Sequence, residues 1–208
     1  MLTFYHSPWT RATGVRTLLE ELEAPYDMRL VNRKAGEQRS PEFLAINPLG
    51  KVPTIAHDGA VITEQVAIYL YLADQFPEKG LAPAIGDKLR GPYLRWMAIY
   101  GAAFEPALVD HYRKTDPGSP GMSPYGTFDG VLDLLESQLA TGPFLFGYRL
   151  TAADILWGSA LGWTIQFGLV PKRPAFVRLQ EAVASRPAAR KVFEEDKTLA
   201  ETYAPKMG

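Results

Sequence analysis

Residues 47–53 read Asn47-Pro48-Leu49-Gly50-Lys51-Val52-Pro53, a turn that leads into the start of a strand. Asparagine, proline and glycine favour turn geometry, and a proline at the head of a strand has no amide N–H to donate to a sheet. Ten residues after Pro53, Thr63-Glu64-Gln65 begins a helical run and places a carboxylate at a helix N-terminus. Together the two segments predict a corner that binds a small, peptide-like ligand.

Short strand-like and helical runs alternate around this corner. A predicted strand over 2–5 is followed by a helix over 15–22 and by an alternating strand over 26–30. Ser40-Pro41 has the pattern of an N-cap with proline at the first helical position, and Asp58-Gly59 indicates a hairpin turn. A last helix runs from about Glu64 to Phe76, so the predicted order is βαβαββα.

The pattern changes near residue 80: residues 76–86 are irregular and contain two prolines and two glycines. We predict a first domain over 1–77, a linker over 78–86 and an all-helical domain over 87–208. The predicted helices cover 87–113 with interruptions at Gly91-Pro92 and Pro106, 125–140, 151–167, and 174–195 with a break at Pro187. The segment 115–121 contains too many helix breakers to be helical.

Composition excludes several classes of function. The chain has 208 residues, 47% of them hydrophobic, and a net charge of −1, so no basic surface favours nucleic acid. The absence of a long apolar run or signal-peptide pattern predicts a cytoplasmic protein without a membrane partner. Three scattered histidines form no metal pattern. With no cysteine in the chain, any thiol chemistry must use a thiol from a ligand.

The second half contains one further marker, Thr151-Ala152-Ala153-Asp154, a variant capping box that begins an apolar helix. The first half has the order βαβαββα with an N-P-x-G-x-V-P turn and a T-E-x helix start, and the helical second half has a T-x-x-D box. In this order, the features of the chain resemble those of the cytosolic glutathione S-transferases. The pattern is most similar to the bacterial beta-like members and covers essentially the whole chain. The resemblance implies an N-terminal thioredoxin-like domain and a C-terminal helical bundle.

The resemblance also implies how glutathione binds. Family members hold the proline at Pro53 in a cis peptide, so that Val52 pairs with the cysteinyl backbone of glutathione; a trans proline at a strand edge is the alternative. Glu64 and Gln65 lie where the family binds the γ-glutamyl end, although glutamine here replaces a smaller residue, and Glu64 alternatively only favours the helix dipole. Lys51 is placed to meet the cysteinyl or glycyl end, with a solvated lysine as the alternative. The loop residues Gln38 and Arg39 are assigned to the glycine carboxylate.

Activation of the glutathione thiol is assigned to the loop after the first strand. The thiol has a pKa of about 8.5, and lowering it by about two units requires roughly 2.7 kcal/mol of preferential thiolate stabilisation. In the beta-like register the family's cysteine position falls on Thr10, whose hydroxyl can donate to a thiolate but cannot form a mixed disulfide. Arg11 is a second candidate and Ser7 a third. Helix capping is the alternative role of Thr10.

These residues predict a glutathione transferase that conjugates the thiolate of glutathione to small apolar electrophiles. No cofactor beyond glutathione as co-substrate is expected, and the resemblance implies a homodimer. A non-catalytic protein that binds glutathione or apolar ligands and a glutathione-dependent peroxidase remain alternatives. The predicted electrophile pocket lies between the two halves and is lined by Trp9, Tyr100, Phe104 and Tyr112, each alternatively a core residue.

Overall fold

The computed structural model describes residues 1–119 and 121–202. The chain divides into two compact units: one contains Met1–Phe76 together with the described residues from Ser185 onward, and the other contains Pro77–Ala184. Pro120 of the breaker-rich segment and residues 203–208 of the predicted helical domain lie outside the described residues.

The first unit contains a four-stranded sheet in the order β2-β1-β3-β4. Strand β1 is parallel to β2 and antiparallel to β3, and β3 forms an antiparallel hairpin with β4. The order along the chain is βαβαββα, in agreement with the sequence prediction. The elements are β1 (Leu2–His6), α1 (Arg11–Glu21), β2 (Asp27–Leu30), α2 (Pro41–Ile46), β3 (Thr54–His57), β4 (Ala60–Ile62) and α3 (Gln65–Gln75).

Two local signals in this unit act as the sequence indicates. The hydroxyl of Ser40 accepts from the amide of Phe43 at 3.2 Å, which caps α2 with Pro41 at its first position. Asp58 and Gly59 both have positive φ, 49° and 86°, as a two-residue hairpin turn requires. The start of α2 and the turn between β3 and β4 lie where the sequence predicts them, because each depends only on neighbouring residues.

The second unit is built from helices α4 (Arg90–Ile99), α5 (Glu105–Arg113), α6 (Phe128–Gln138), α7 (Ala152–Gln166) and α8 (Pro174–Ala184). Gly91 and Pro92 were predicted to interrupt a helix, but they lie in the first turn of α4, where proline lacks no needed amide. The predicted interruption at Pro106 takes the form of a π-helical turn, Tyr100–Phe104, between α4 and α5. Such a turn accommodates the missing amide of Pro106 without ending the helical path.

The capping box of α7 is present and fully buried. The carboxylate of Asp154 accepts from the amide and the hydroxyl of Thr151, both at 2.7 Å, and from the amide of Leu145 at 2.6 Å. The side chain therefore fastens the preceding loop as well as the helix start.

The last helix, α9 (Pro187–Thr202), differs from the predicted domain division, which placed it with the helical domain. It packs on α1 in the first unit. Arg186 binds Glu21 through two hydrogen bonds of 2.6 Å, and Lys191 binds Glu20 at 2.7 Å. Helical periodicity marks a helix but does not say which neighbour its apolar face meets, so the sequence alone did not show this.

Candidate functional site

The turn over residues 47–53 is held by one buried side chain. The amide nitrogen of Asn47 donates to the carbonyl of Lys51 at 2.9 Å and to the hydroxyl of Thr54 at 3.0 Å. Its amide oxygen accepts from the backbone of Leu49 at 3.1 Å. Asn47 is 2% exposed, so its side chain stabilises the turn from the buried side.

Gly50 and Arg39 meet beneath this turn. Gly50 has a φ of 60°, and a Cβ at this position would lie 2.6 Å from the carbonyl oxygen of Gln38 and 2.9 Å from the Nη1 atom of Arg39. Arg39 donates to the carbonyl of Leu49 at 3.3 Å. The predicted contact residue Arg39 thus lies beside the turn, with its side chain exposed to solvent.

The Val52-Pro53 peptide is cis, as the resemblance implied. Lys51 is exposed and its carbonyl is occupied by Asn47 and Thr54. Within the described chain, by contrast, neither the amide nor the carbonyl of Val52 makes a hydrogen bond. The backbone N–H and C=O of Val52 can therefore pair with an extended ligand, as those of a sheet edge do.

Glu64 and Gln65 lie at the same end of the β3–β4 hairpin. The register pairs Ile55 with Ile62, so the residues just before β3 and those just after β4 lie at the same end of the hairpin. Glu64 precedes α3 with a φ of 64° and an exposed side chain. For a residue other than glycine this is an uncommon conformation, which is often found at ligand sites.

The side chain of Gln65 connects this corner to the loop after β1. Its Nε2 atom donates to the carbonyl of Arg11 at 3.2 Å. Arg11 is exposed at the first position of α1. The structure therefore brings one of the thiol-activation candidates and the start of α3 into direct contact.

Thr10 is the N-cap of α1. Its hydroxyl oxygen accepts from the amide of Ala12 at 3.1 Å, and its proton is donated to the carbonyl of Ser7 at 2.7 Å. Ser7 is 5% exposed, so its side chain is less accessible to a ligand than that of Thr10. The capping role considered for Thr10 is present, and a hydroxyl that accepts from one group can still donate to another.

The four predicted pocket residues have different surroundings. Trp9 is 49% exposed, with a φ of 57°, and its ring contacts Phe193 edge to face at 5.2 Å. In the second unit, Tyr100 and Phe104 are buried against Trp157, with ring centres 5.3 and 4.9 Å away. These two side chains therefore serve the packing of the second unit, whereas Tyr112 on α5 is 70% exposed.

Sequence reasoning missed a buried polar cluster beside the loop, centred on Asp196 of α9. Its carboxylate accepts from His6 at 2.7 Å, from Thr13 at 2.6 Å and from Arg16 at 3.0 Å. Burial would raise the pKa of Asp196, but these three hydrogen bonds hold the pKa below its ordinary value. The available signal was helical spacing, because Asp196 follows the buried Val192 by four residues and so lies on the inward face of α9.

A cavity of about 550 Å³ lies away from these residues. It is at the other end of β1 and is lined by Leu2, Pro25, Tyr26, His57, Leu72 and Phe76, among others. In the described ranges, no cluster of three or more acidic, histidine or cysteine side chains forms a metal site, and no helix is long and apolar enough to cross a membrane.

Two family models match this chain. The N-terminal domain of glutathione S-transferase matches residues 1–74, and the C-terminal domain of glutathione S-transferase matches residues 125–190. The chain belongs to the glutathione S-transferase family. The resemblance seen in the sequence and the predicted fold class, an α/β thioredoxin-like half followed by a helical half, are confirmed.

Individual family members are similar along nearly the whole chain. The disulfide-bond oxidoreductase YfcG of Escherichia coli is 29% identical over 202 residues, covering 90% of this chain and 92% of YfcG. A glutathione transferase from Methylococcus capsulatus has a crystal structure with a TM-score of 0.79 and 28% identity, covering 95% of this chain and all of that one. A sphingomonad glutathione S-transferase solved with glutathione has a TM-score of 0.77 and 28% identity over 94% of this chain and 98% of its own.

Proposed function

We propose that this chain is a glutathione transferase that conjugates reduced glutathione to small apolar electrophiles. The observation that carries the proposal is Val52, which precedes the cis peptide bond to Pro53: its N–H and C=O make no hydrogen bond in the described chain and lie at the same hairpin end as the start of α3. The sphingomonad relative solved with glutathione supports the choice of ligand.

The proposed binding mode uses both sides of this corner. The Val52 peptide pairs with the cysteinyl backbone of glutathione. The carboxylate of Glu64 accepts from the γ-glutamyl ammonium, and the Gln65 amide at the N-terminus of α3 binds the α-carboxylate. Lys51 and Arg39, both exposed beside the turn, are cations for the glycyl carboxylate.

Thr10 is the proposed group that stabilises the thiolate. Its hydroxyl oxygen is held by the Ala12 amide, so rotation about the C–O bond turns the proton from the Ser7 carbonyl towards the ligand sulfur. The N-terminus of α1 and the charge of Arg11 add stabilisation of a negative sulfur. A charge-assisted hydrogen bond contributes about 1.5 to 3 kcal/mol, which matches the 2.7 kcal/mol or so that a two-unit fall in thiol pKa requires.

The chemical step is nucleophilic attack by sulfur. With an activated aryl chloride, sulfur first adds to the ring carbon, and the carbon–chlorine bond then breaks as chloride leaves with the electron pair. Trp9, exposed in the same unit as Thr10, is the aromatic candidate for contact with the electrophile. A homodimer and a cytoplasmic location are part of the proposal on family likeness.

The test compares wild type with Thr10→Val and Thr10→Ser. Wild type is expected to bind glutathione and to conjugate chlorodinitrobenzene. Thr10→Val removes the hydroxyl at nearly constant shape, so we expect the thiol pKa to rise by about 1 to 2 units and kcat/KM to fall about 10- to 100-fold. Thr10→Ser keeps the donor and should retain most of both. An unchanged thiol pKa in Thr10→Val would transfer the role to Arg11 or Ser7, and a wild type that binds no glutathione would refute the proposal.

A second candidate reaction is favoured by the similarity to the disulfide-bond oxidoreductase YfcG. Because the chain has no cysteine, both thiols must come from glutathione: two molecules reduce one disulfide, giving glutathione disulfide and two product thiols. A hydroxyethyl disulfide assay separates this reaction from conjugation. A hydroperoxide assay tests the peroxidase alternative, and glutathione binding without any turnover would indicate the carrier alternative.

A further inference from the structure

One buried carboxylate binds both flanks of the loop that carries Thr10. Asp196 accepts from His6, the last residue of β1, and from Thr13 in the first turn of α1, at 2.7 and 2.6 Å. The loop between β1 and α1 covers residues 7–10. Arg16, one turn further along α1, donates to the same carboxylate at 3.0 Å and also pairs with Glu195. The Asp196 carboxylate on α9 thus binds residues on both sides of the loop.

A second contact from the same helix reaches the middle of the loop. Phe193 lies three residues before Asp196, so both side chains project from one face of α9. Its ring packs edge to face on Trp9 at 5.2 Å and an interplanar angle of 65°. Trp9 has a left-handed φ of 57°, which is unfavourable for a bulky residue unless its surroundings hold it. Phe193 supplies such a support directly beside Thr10.

The two contacts differ from the other attachments of α9. Arg186, which directly precedes α9, and Lys191 within it bind Glu21 and Glu20 at the end of α1 that is remote from the loop. In the described part of the chain, neither side chain forms a hydrogen bond or ion pair with residues 6–13. Asp196 and Phe193, by contrast, contact the loop and its two ends, so the conformation of the loop depends on where α9 lies.

We propose that α9 positions the thiol-activating loop, with Asp196 and Phe193 as positioning residues that act through Thr10 and Trp9. This inference rests on the proposed function, in which the loop stabilises the glutathione thiolate. A donor displaced by about 1 Å loses much of its effect on the reacting atom. Val52 and Glu64, the residues proposed to bind the glutathione backbone, lie outside this loop. Disturbing the contacts of α9 should therefore impair activation of the thiol more than binding of glutathione.

The experiment uses the full chain with four single variants. Asp196→Asn and Phe193→Ala disturb the two contacts, Phe193→Tyr keeps the aromatic ring, and Lys191→Met removes an α9 ion pair that does not reach the loop. For each we would measure the pKa of bound glutathione from thiolate absorbance, kcat and KM with chlorodinitrobenzene, glutathione affinity, and hydrogen exchange at residues 9–12.

We expect Asp196→Asn and Phe193→Ala to raise the thiol pKa by about 0.5 to 1.5 units and to lower kcat about 3- to 30-fold, with glutathione affinity within about 3-fold of wild type. Exchange at residues 9–12 should accelerate at least about 10-fold. Phe193→Tyr should restore wild-type values and Lys191→Met should keep them. If Asp196→Asn does not fold, the comparison of Phe193→Ala with Phe193→Tyr tests the proposal.

The inference is overturned if Phe193→Ala keeps the wild-type thiol pKa and loop exchange, or if Lys191→Met shifts them equally. A wild type without glutathione binding or turnover would instead refute the proposed function. In that case the exchange of residues 9–12 still decides whether α9 holds the loop, so the two failures are distinguishable.

Discussion

At Gly50 a single hydrogen atom is all that the surroundings accept. The residue has a φ of 60°, and a Cβ would lie 2.6 Å from the backbone carbonyl of Gln38, which cannot move as a side chain can. We expect Gly50→Ala to lower the free energy of unfolding by about 2 kcal/mol or more, because the left-handed conformation alone costs about 1 to 2 kcal/mol. Glutathione affinity should fall at least about 10-fold, since the displaced turn carries Val52; urea unfolding and calorimetric titration measure the two effects.

Gly59→Ala is a matched control in the same unit. Its φ is 86°, but a Cβ there meets nothing within 4 Å. It should therefore show the conformational cost of about 1 to 2 kcal/mol with unchanged glutathione affinity. If Gly50→Ala bound glutathione as tightly as Gly59→Ala, the turn would have no part in the binding corner.

Thr10 caps α1, and this role is compatible with the one proposed for it at the thiolate. Capping of α1 uses a lone pair of the hydroxyl oxygen, which accepts from Ala12. Stabilising a thiolate would use the hydroxyl proton, which donates to Ser7 in this structure. From the sequence these roles were alternatives, because residue type and position fit both. In the structure the two roles are compatible, because the cap holds the hydroxyl oxygen in place while its proton can rotate about the C–O bond.

Among the elements, α7 depends on one carboxylate. Replacing Asp154 by alanine would leave the amides of Leu145 and Thr151 buried without their acceptor. Because each buried unsatisfied donor costs about 1 to 3 kcal/mol, we expect Asp154→Ala to lower the free energy of unfolding by about 3 kcal/mol or more. Chemical denaturation followed by circular dichroism measures the loss.

The control for this helix start is Thr127→Ala at the N-cap of α6. The hydroxyl of Thr127 accepts from the amide of Gly130 at 3.0 Å at an exposed position. Water can replace this bond, so the loss should be about 1 kcal/mol. Equal losses in the two variants would show that burial adds nothing to the Asp154 interactions.

Across the whole molecule, the features predicted from sequence are those set by neighbouring residues. The Ser40 cap, the Asp58-Gly59 turn and the Thr151 capping box depend on local chemistry and lie where their motifs indicate. The position of α9 depends on contacts about 180 residues apart in the chain, such as Arg16 with Asp196, which a periodic pattern does not specify. The same limit explains the pocket prediction: Tyr100 and Phe104 have the right residue type, but packing against Trp157 buries them.

The discontinuous first unit predicts how a shortened chain behaves. Ending the chain at Ala184 removes α9 and leaves His6, Thr13 and Arg16 without the carboxylate that they share. Removing one partner from such a buried cluster costs about 3 to 5 kcal/mol, a large part of the roughly 5 to 15 kcal/mol that stabilises a typical domain. We therefore expect hydrogen exchange to accelerate throughout β1 and α1 but to stay slow in α7.

The comparison is a chain that keeps α9 and carries Arg190→Ala and Lys197→Ala at two exposed positions of that helix. It should exchange like wild type. Loss of protection mainly in α7 and α8 of the shortened chain would contradict the prediction, because it would mean that α9 stabilises the unit that precedes it in sequence. Retained protection in β1 and α1 would show that the sheet holds the first unit together without its last helix. Only selective loss in the first unit fits a structure in which the C-terminal helix completes the N-terminal fold.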